Sequence, residues 1–265
     1  MSNQTFQTLK ELPIPLDQTQ CVPHKHELII CGGLNQRGCY SYHTLRNEYK
    51  IICKYPSDVT LNGHCVVKLV DNNKDKNDIT LLSFGGYYKH TLVMKYVSVW
   101  SNTSNKSNES NEFNNYNEWI PLTDNHNHPI VIGRGHDDYH GMRAVIGGIN
   151  NHFVFDLNTF QFIKHHTLPT DNPIWHHCFV SNSENGKGQE MIKTNKQNYR
   201  MLLFCKYTGL SIEYDEDNNI FQFHQLPVCK DIAPFNKYAY ICINDAILFL
   251  GGHYYKDNNS IFSKS

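Results

Sequence analysis

Histidine is the residue type that most invites a chemical interpretation, because 16 of the 265 residues are histidines. The densest group comprises His126 and His128, followed by His136, Asp137 and His140. Imidazole and carboxylate groups bind zinc or iron when three or four of them converge on one ion. Residues four apart converge in this way on a helix, whereas the glycines around this segment favour a loop. We therefore expect a solvated connecting loop here rather than a metal site.

The other histidines and the known catalytic motifs offer no stronger candidate. The doublets His165–His166 and His176–His177 lie in strand-like segments, where successive side chains point to opposite faces and cannot bind one ion together. The sequence contains no G-x-S-x-G nucleophile motif, no P-loop and no dinucleotide-binding glycine pattern. We therefore predict no catalytic, cofactor-binding or metal-binding residue, and no cofactor.

Charge and hydropathy exclude two classes of partner. Lys and Arg together number 24 and Asp and Glu 25, so the formal net charge is −1 and no basic field attracts nucleic acid or anionic lipid. Hydrophobic residues make up 40% of the chain, which is enough to build a core. No apolar run approaches the roughly 20 residues that span a bilayer. We expect neither a nucleic-acid partner nor membrane insertion.

Cysteine usage favours a reducing compartment. The chain has nine cysteines, an odd number, and no CxxC pair. Its first residues have neither the basic region nor the apolar region of a secretory signal. These features predict a cytoplasmic protein with free thiols.

Self-similar segments recur along the chain and predict a repeat architecture. Short apolar runs end in paired glycines at residues 28–33, 81–86 and 247–252, and residues 202–206 keep the apolar run without the glycines. After such runs, an aromatic residue is followed by a second one seven residues later. These pairs are Tyr42 and Tyr49, Phe155 and Phe162, and Tyr214 and Phe221. Each pair, with polar turn residues between its members, predicts a β-hairpin.

Two further regularities extend the repeat. Tyr96 is followed by Trp119 at a longer distance, and the surplus matches a low-complexity insert at residues 101–116. Four of the cysteines occur at what the sequence suggests is one equivalent strand position: Cys21, Cys65, Cys178 and Cys242. A small soft side chain at a recurring strand position is typical of core packing, so we predict a structural role for these four.

No segment has helical periodicity, so the chain is predicted to be all-β, in units of about 50 residues with four short strands each. The glycine pairs, the spaced aromatics and the turns between them resemble kelch repeats. This resemblance implies a kelch-type β-propeller of about four to five four-stranded blades. Residues 1–19 would form an N-terminal extension and residues 20–265 the propeller. The expected blades are 20–56, 62–122, 128–169, 175–227 and a partial one at 238–265.

The repeat is irregular in two places. In the third unit either residues 129–132 or residues 143–146 form the first strand, and we favour a shortened blade. The last unit supplies a first strand at 238–243, a second at 246–252 and only residues 260–262 of a third. Because residues 1–19 contain two prolines in their one apolar stretch, they could not complete this blade. We therefore expect an incomplete or open ring with exposed sheet edges.

Enzymes exist among proteins that resemble kelch propellers, so the resemblance leaves both classes open. The copper oxidases with this fold use a Tyr–Cys crosslink and are secreted. Plant specifier proteins use an E-x3-D-x3-H iron motif, which Glu213 and Asp217 begin but Phe221 breaks. Residues 12–16 resemble the opening of an F-box, but the first strand follows too soon for that module.

We therefore expect a non-catalytic protein–protein interaction scaffold with unidentified protein partners, not an enzyme. Shape-based recognition by loops on a rigid framework is the implied mechanism, with residues 125–140 as the expected contact surface. The alternative is a metal-dependent or small-molecule enzyme built in the propeller channel. A third interpretation is a truncated, degenerate repeat copy without independent function.

Overall fold

The computed structural model describes residues 10–69, 78–101, 116–133, 138–145, 155–156, 161–162, 168–172, 174–181, 199–215, 218, 220–231, 233–243, 246–250, 253–256 and 260–263. Within these ranges all regular secondary structure is β, which confirms the predicted all-β class. These same ranges hold no helix of the length and apolar character that crossing a bilayer requires. Of the low-complexity insert, residues 102–115 lie outside the described part of the chain.

Three sheets have four antiparallel strands each, paired in sequence order. The first sheet comprises β1 (Gln20–His24), β2 (Glu27–Gly33), β3 (Gln36–His43) and β4 (Glu48–Lys54). The second comprises β5 (His64–Lys68), β6 (Asp78–Gly85), β7 (His90–Val97) and β8 (Ile120–Pro121). The sheet of the fourth unit comprises β11 (Cys178–Ser181), β12 (Tyr199–Cys205), β13 (Thr208–Asp215) and β14 (Ile220–Gln225).

The third and fifth units are built from smaller sheets. The third unit contains the hairpin β9 (Phe155–Asp156) and β10 (Gln161–Phe162). The fifth contains the hairpin β16 (Ala239–Ile243) and β17 (Ala246–Leu250), and a three-stranded sheet of β15 (Phe235–Asn236), β18 (His253–Lys256) and β19 (Ser260–Ser263). The last unit thus has two hairpins. The sequence predicts that this unit ends within a third strand, at residues 260–262. The structure has a further strand, β18, before that segment.

The hairpins predicted from the equal aromatic spacing are present in the structure. Tyr42 lies opposite Tyr49 in the β3–β4 pair, with ring centroids 4.8 Å apart. Tyr214 lies opposite Phe221 in the β13–β14 pair, with ring centroids 4.5 Å apart. The two strands β9 and β10 pair at the positions of the third aromatic pair. Cross-strand aromatic contacts of this kind stabilise a hairpin by roughly 0.2–1 kcal/mol each.

Trp119 does not lie opposite Tyr96 in the second sheet. The register of β7 and β8 sets Val93 opposite Ile120, so residue 117, two residues before Trp119, takes the position opposite Tyr96. The amide of Asn117 instead binds the backbone of Val97 at 3.0 Å and 3.1 Å. An amide side chain that satisfies two backbone groups can take the place of an aromatic pair at a hairpin end.

The four cysteines do not share one position. Cys65 lies opposite Phe84 and Cys178 opposite Phe204, at the same point of their sheets. In the first sheet the equivalent residue is Gln20, so Cys21 is displaced by one residue. In the fifth unit the equivalent residue is Ala239, and Cys242 lies three residues further on. A displacement by an odd number of residues turns the side chain to the other face of the strand.

Hydrophobic cores lie between neighbouring units. The largest joins the first and second sheets through side chains such as Ile29, Leu81 and Trp119. A second core packs the inner part of the second sheet against Ile132 and Ala144. Others join the chain near Val145 to the fourth unit, and the fourth unit to β16 and β17. Each unit therefore buries one face against its neighbour, as stacked repeat units do.

The first strands of the units form a continuous circuit of contacts, so the expected open arc is wrong. β1 contacts β5 on one side and β16 on the other, and β16 contacts β11. The circuit continues through the third unit, where Gly141 donates its N–H to Gly63 O and accepts one from His176, each at 2.8 Å. The Tyr240 hydroxyl, on β16, donates to Phe179 O of β11 at 3.0 Å. The fifth unit therefore contacts the first directly.

These hydrogen bonds also decide between the two alternatives for the third unit. Residues 130–132 attach to the second sheet, where Ile130 N donates to Leu122 O at 2.8 Å and Ile132 N to the Thr91 hydroxyl at 3.2 Å. The segment from Gly141 to Val145 occupies the position of a first strand instead. Residues 141–145 are not paired as a regular strand, and residues 146–154, where the shortened unit would lack its second strand, lie outside the described part of the chain.

Candidate functional site

The predicted histidine loop is only partly described. His136 and Asp137 lie outside the described residues. The imidazole Nε2 of His140 forms a 2.9 Å hydrogen bond with the Asn62 amide oxygen, so it ties the loop to the connection that precedes β5. No group of three or more His, Cys, Asp or Glu side chains could hold a metal ion within the ranges given above.

The neighbouring pair His126 and His128 belongs to a tight turn. Asp124 accepts the backbone N–H groups of His126 at 2.8 Å and of His128 at 2.9 Å. The His128 imidazole contacts the same carboxylate at 3.2 Å. Hydrogen bonding to these backbone groups holds the pKa of the exposed Asp124 below its ordinary value. This is an Asx turn, a local device for reversing the chain.

The doublet His176–His177 lies just before β11 rather than within a strand. Both side chains are buried. His176 adopts a φ of +50°, a left-handed conformation that is uncommon for a residue with a side chain. The doublet His165–His166 lies outside the described residues.

Glu213 and Asp217 begin the incomplete E-x3-D-x3-H motif. Asp217 lies outside the described residues. Glu213 instead forms an ion pair with Arg200 on the neighbouring strand, with its Oε1 at 3.0 Å from Nε and 2.5 Å from Nη2. The carboxylate of Glu213 is therefore occupied within its own sheet.

One face of the molecule is formed by turns and connections that lie side by side. We call it the turn face: the turns 34–35, 86–89 and 206–207, which join second to third strands, and the connections 61–63, 139–141 and 174–176, which lead to first strands. Asn35 N donates to Leu61 O at 3.0 Å, and Tyr87 N donates to Asn62 O at 2.9 Å. Gly86 N donates to Tyr139 O at 3.1 Å. These bonds fix each turn to the connection beside it.

Exposed aromatic side chains concentrate on the turn face. Tyr87, Tyr88, Trp175 and Tyr207 expose 64%, 60%, 53% and 72% of their surface. A fifth exposed aromatic residue within the described ranges, Tyr116, precedes β8 and is away from this face. The sequence prediction did not single out these four residues, although each lies at a turn or connection where burial is not required.

Arg143 lies two residues after Gly141, which hydrogen-bonds to both Gly63 and His176. Its side chain is only 6% exposed. Burial raises the pKa of Cys65 on β5 to about 11, with the Arg143 charge opposing the rise. Burial and, as a smaller effect, the Arg143 charge both lower the pKa of His176 and of His177 to about 3. The guanidinium is thus close to side chains of the second and the fourth units.

The first and the fifth units also come within reach of the Arg143 charge. On β1 it opposes the larger effect of desolvation, which raises the pKa of the Cys21 thiol to about 12. On β16 burial raises the pKa of the Tyr240 hydroxyl, and the Arg143 charge opposes this rise.

Neither the models of known protein families nor the sequences of curated proteins give a match to this chain. Its function must therefore be inferred from its own side chains.

Proposed function

We propose that the chain is a five-unit, kelch-type β-propeller that acts as a non-catalytic protein-interaction scaffold, with the turn face as its contact surface. The concentration of Tyr87, Tyr88, Trp175 and Tyr207 on that face carries the proposal. Tyrosine and tryptophan are enriched where proteins bind proteins, because they bury a large apolar area and keep a hydrogen-bonding group.

Rigidity of the turn face supports a binding role. Tyr87 is held by its backbone hydrogen bond to Asn62, and the ring of Tyr87 packs edge to face on Tyr88 at 5.0 Å. The Cys205 thiol contacts Trp175 O at 3.6 Å, which places that residue beside the turn of Tyr207. A surface held in place before binding loses less conformational entropy on association.

The expected contact loop at residues 125–140 belongs to the same proposal. Within its described part, Val131 exposes 61% of its surface, while Ile132 beside it is buried against the second sheet. The loop is thus anchored by one side chain and offers the next one to solvent. A partner on the turn face would reach Val131 as well as Tyr87 and Tyr88.

We place this scaffold in the cytoplasm, and its free cysteines support that compartment. Cys31 lies directly opposite Cys39, and Cys39 directly opposite Cys53, yet all three are free thiols. Neighbouring thiols that stay reduced are typical of proteins in a reducing environment.

Site-specific photo-crosslinking tests the scaffold proposal. A benzophenone amino acid is placed at Tyr88, at Tyr207 or, as a control, at the exposed Leu45 of the β3–β4 turn. Irradiation in cells followed by mass spectrometry identifies the attached proteins. We expect one protein to be attached from Tyr88 and Tyr207 and not from Leu45. Attachment from Leu45 alone, or of the same proteins from all three positions, would contradict the proposal.

A further inference from the structure

The guanidinium of Arg143 is buried without a counterion from the described residues. Its Nη1 donates to the adjacent Met142 O at 2.7 Å, while Nε and Nη2 are buried and have no hydrogen-bond partner. Neither ion pair within the described ranges involves it. A buried charge lowers the stability of a protein unless it is paired and hydrogen-bonded. Among the described residues, Arg143 therefore has no partner that neutralises its charge.

The side chains around Arg143 cannot supply the negative charge. Burial, followed by the Arg143 charge itself, lowers the pKa of His176 and His177 to about 3, so both imidazoles are neutral at neutral pH. Burial likewise raises the pKa of Cys65 to about 11 and of Tyr240 well above its ordinary value, which keeps both protonated. The cluster thus carries one positive charge among neutral groups.

The two unpartnered nitrogens form one edge of the guanidinium, and another arginine of this chain shows what that edge binds. Arg200 uses the same two atoms, Nε and Nη2, to donate to one oxygen, Oε1, of the Glu213 carboxylate. The paired N–H groups on this edge match the spacing of two oxygens in a carboxylate or a phosphate. In Arg143 the N–H groups on this edge have no acceptor among the described residues.

Further hydrogen-bond donors lie within reach of the Arg143 charge. Both ring nitrogens of His176 and the Nδ1 atom of His177 are buried and have no hydrogen-bond partner in the described part of the chain. Each neutral imidazole has one N–H group that can donate to an anion. His176 and His177 are 3% and 8% exposed, so both side chains are shielded from bulk solvent.

We propose that Arg143 and these histidines form a binding site for one small oxyanion, a carboxylate or a phosphate group, where the third unit contacts the second and the fourth. The anion would accept two hydrogen bonds from Nε and Nη2 of Arg143 and further ones from the imidazoles. The site includes only one residue of the turn face, the buried His176, and its ligand would join the second, third and fourth units through one charge.

Thermal unfolding in the presence of anions tests this site on the full chain. The protein is dialysed against a chloride buffer and unfolded at increasing concentrations of phosphate or of acetate, at constant ionic strength. We expect the midpoint to rise with the logarithm of the concentration of at least one anion, as binding to the folded state requires. A response to phosphate alone would assign a phosphoryl ligand, and a response to acetate a carboxylate.

Two variants decide whether Arg143 is responsible. In Arg143→Met the response to anions should disappear, while the midpoint in chloride alone should rise or stay unchanged, because an apolar side chain replaces an unpaired buried charge. In Arg200→Met the response should equal that of the wild type, since that guanidinium already holds Glu213. A wild type that responds to neither anion, or an Arg143→Met protein that still responds, would overturn the proposal.

Calorimetric titration of folded protein with phosphate and with acetate keeps the test decisive if Arg143→Met does not fold. The wild type should bind one anion per chain. Arg143→Lys, which keeps the charge but loses the two-nitrogen edge, should bind at least about tenfold more weakly. Equal affinity in Arg143→Lys and the wild type would overturn the proposed geometry.

Discussion

The hydroxyl of Tyr96 in the second sheet donates a hydrogen bond to the buried carboxylate of Glu27 in the first sheet. Ser41 donates to the same carboxylate oxygen at 2.6 Å, and the Trp100 indole donates to the Ser41 hydroxyl at 2.9 Å. Burial alone would raise the pKa of Glu27, but hydrogen bonds, led by that of Ser41, outweigh burial and hold the pKa below its ordinary value. An ionised carboxylate therefore joins two neighbouring units.

Removing the Tyr96 hydroxyl should weaken that junction. We expect Tyr96→Phe to lower the free energy of unfolding by about 1.5–3 kcal/mol, the usual value of a hydrogen bond to a charged group. Tyr207→Phe is the matched control, because its hydroxyl is on an exposed residue and its loss should cost less than about 0.5 kcal/mol. Urea unfolding measures both, and equal losses in the two variants would contradict the assigned role of Tyr96.

Acid should destabilise the fold before the carboxylates titrate. Burial lowers the pKa of His64 and of His177 from 6.5 to about 3. The unfolded chain therefore binds more protons than the folded chain between these values, and stability that is complete above pH 6.5 is lost as the pH falls towards 3. Each histidine should contribute a slope of up to about 1.4 kcal/mol per pH unit within that window.

Urea unfolding at intervals from pH 7.5 to 5 measures this slope. His64→Gln should reduce it by the share of one histidine, whereas His126→Gln, which changes an exposed side chain, should leave it unchanged. A free energy of unfolding that stays constant from pH 7 to 5 would show that these imidazoles are not buried in the neutral form.

The junction of the second and third units depends on two glycines that approach closely. Gly63 has a φ of +69°, and a β-carbon at this position would lie 2.4 Å from the backbone nitrogen of Gly141. Gly63→Ala should therefore cost about 3 kcal/mol or more, from backbone strain and steric overlap together. Gly38→Ala is the milder comparison, because its β-carbon would meet the Tyr40 side chain, which can move.

Thermal unfolding of both variants checks this junction. The larger loss of stability should appear in Gly63→Ala, since the circuit of first strands passes through the Gly63 and Gly141 backbones. If Gly63→Ala were no more harmful than Gly38→Ala, the second and third units would not be in contact as described.

Local patterns of the sequence were sufficient to predict the hairpins. Tyr42 and Tyr49 are seven residues apart, and their pairing depends only on the two strands and the turn between them. Tyr214 and Phe221 follow the same rule in the fourth unit. Register and chirality within one hairpin are short-range properties, so spacing alone determines them.

Register differences between units could not be predicted in this way. Cys21 and Cys65 look equivalent in sequence, yet pairing to β2 and β6 shows a displacement of one residue. The contact of β1 with β16 joins the two ends of the repeat and has no local signature at all. Long-range pairing depends on the packing of whole units, which a single sequence does not reveal.

Arg143 shows why the candidate anion site was missed. The sequence presents it within an apolar segment that was considered only as a strand. Its significance depends on burial and on the absence of a hydrogen-bond partner for Nε and Nη2 among the described residues. A charged residue at the start of an apolar strand segment is the one signal that could have indicated this site.

The affinity of the photo-crosslinked partner for variants of the turn face tests the central claim most directly. Calorimetry with purified proteins would compare the wild type with Tyr87→Ser/Tyr88→Ser and with Leu45→Ser/Ile51→Ser, which changes equally exposed residues elsewhere. We predict that the tyrosine variant weakens binding at least about tenfold and the control less than about twofold. Unchanged affinity in the tyrosine variant, or a larger loss in the control, would contradict the assignment of the turn face as the binding surface.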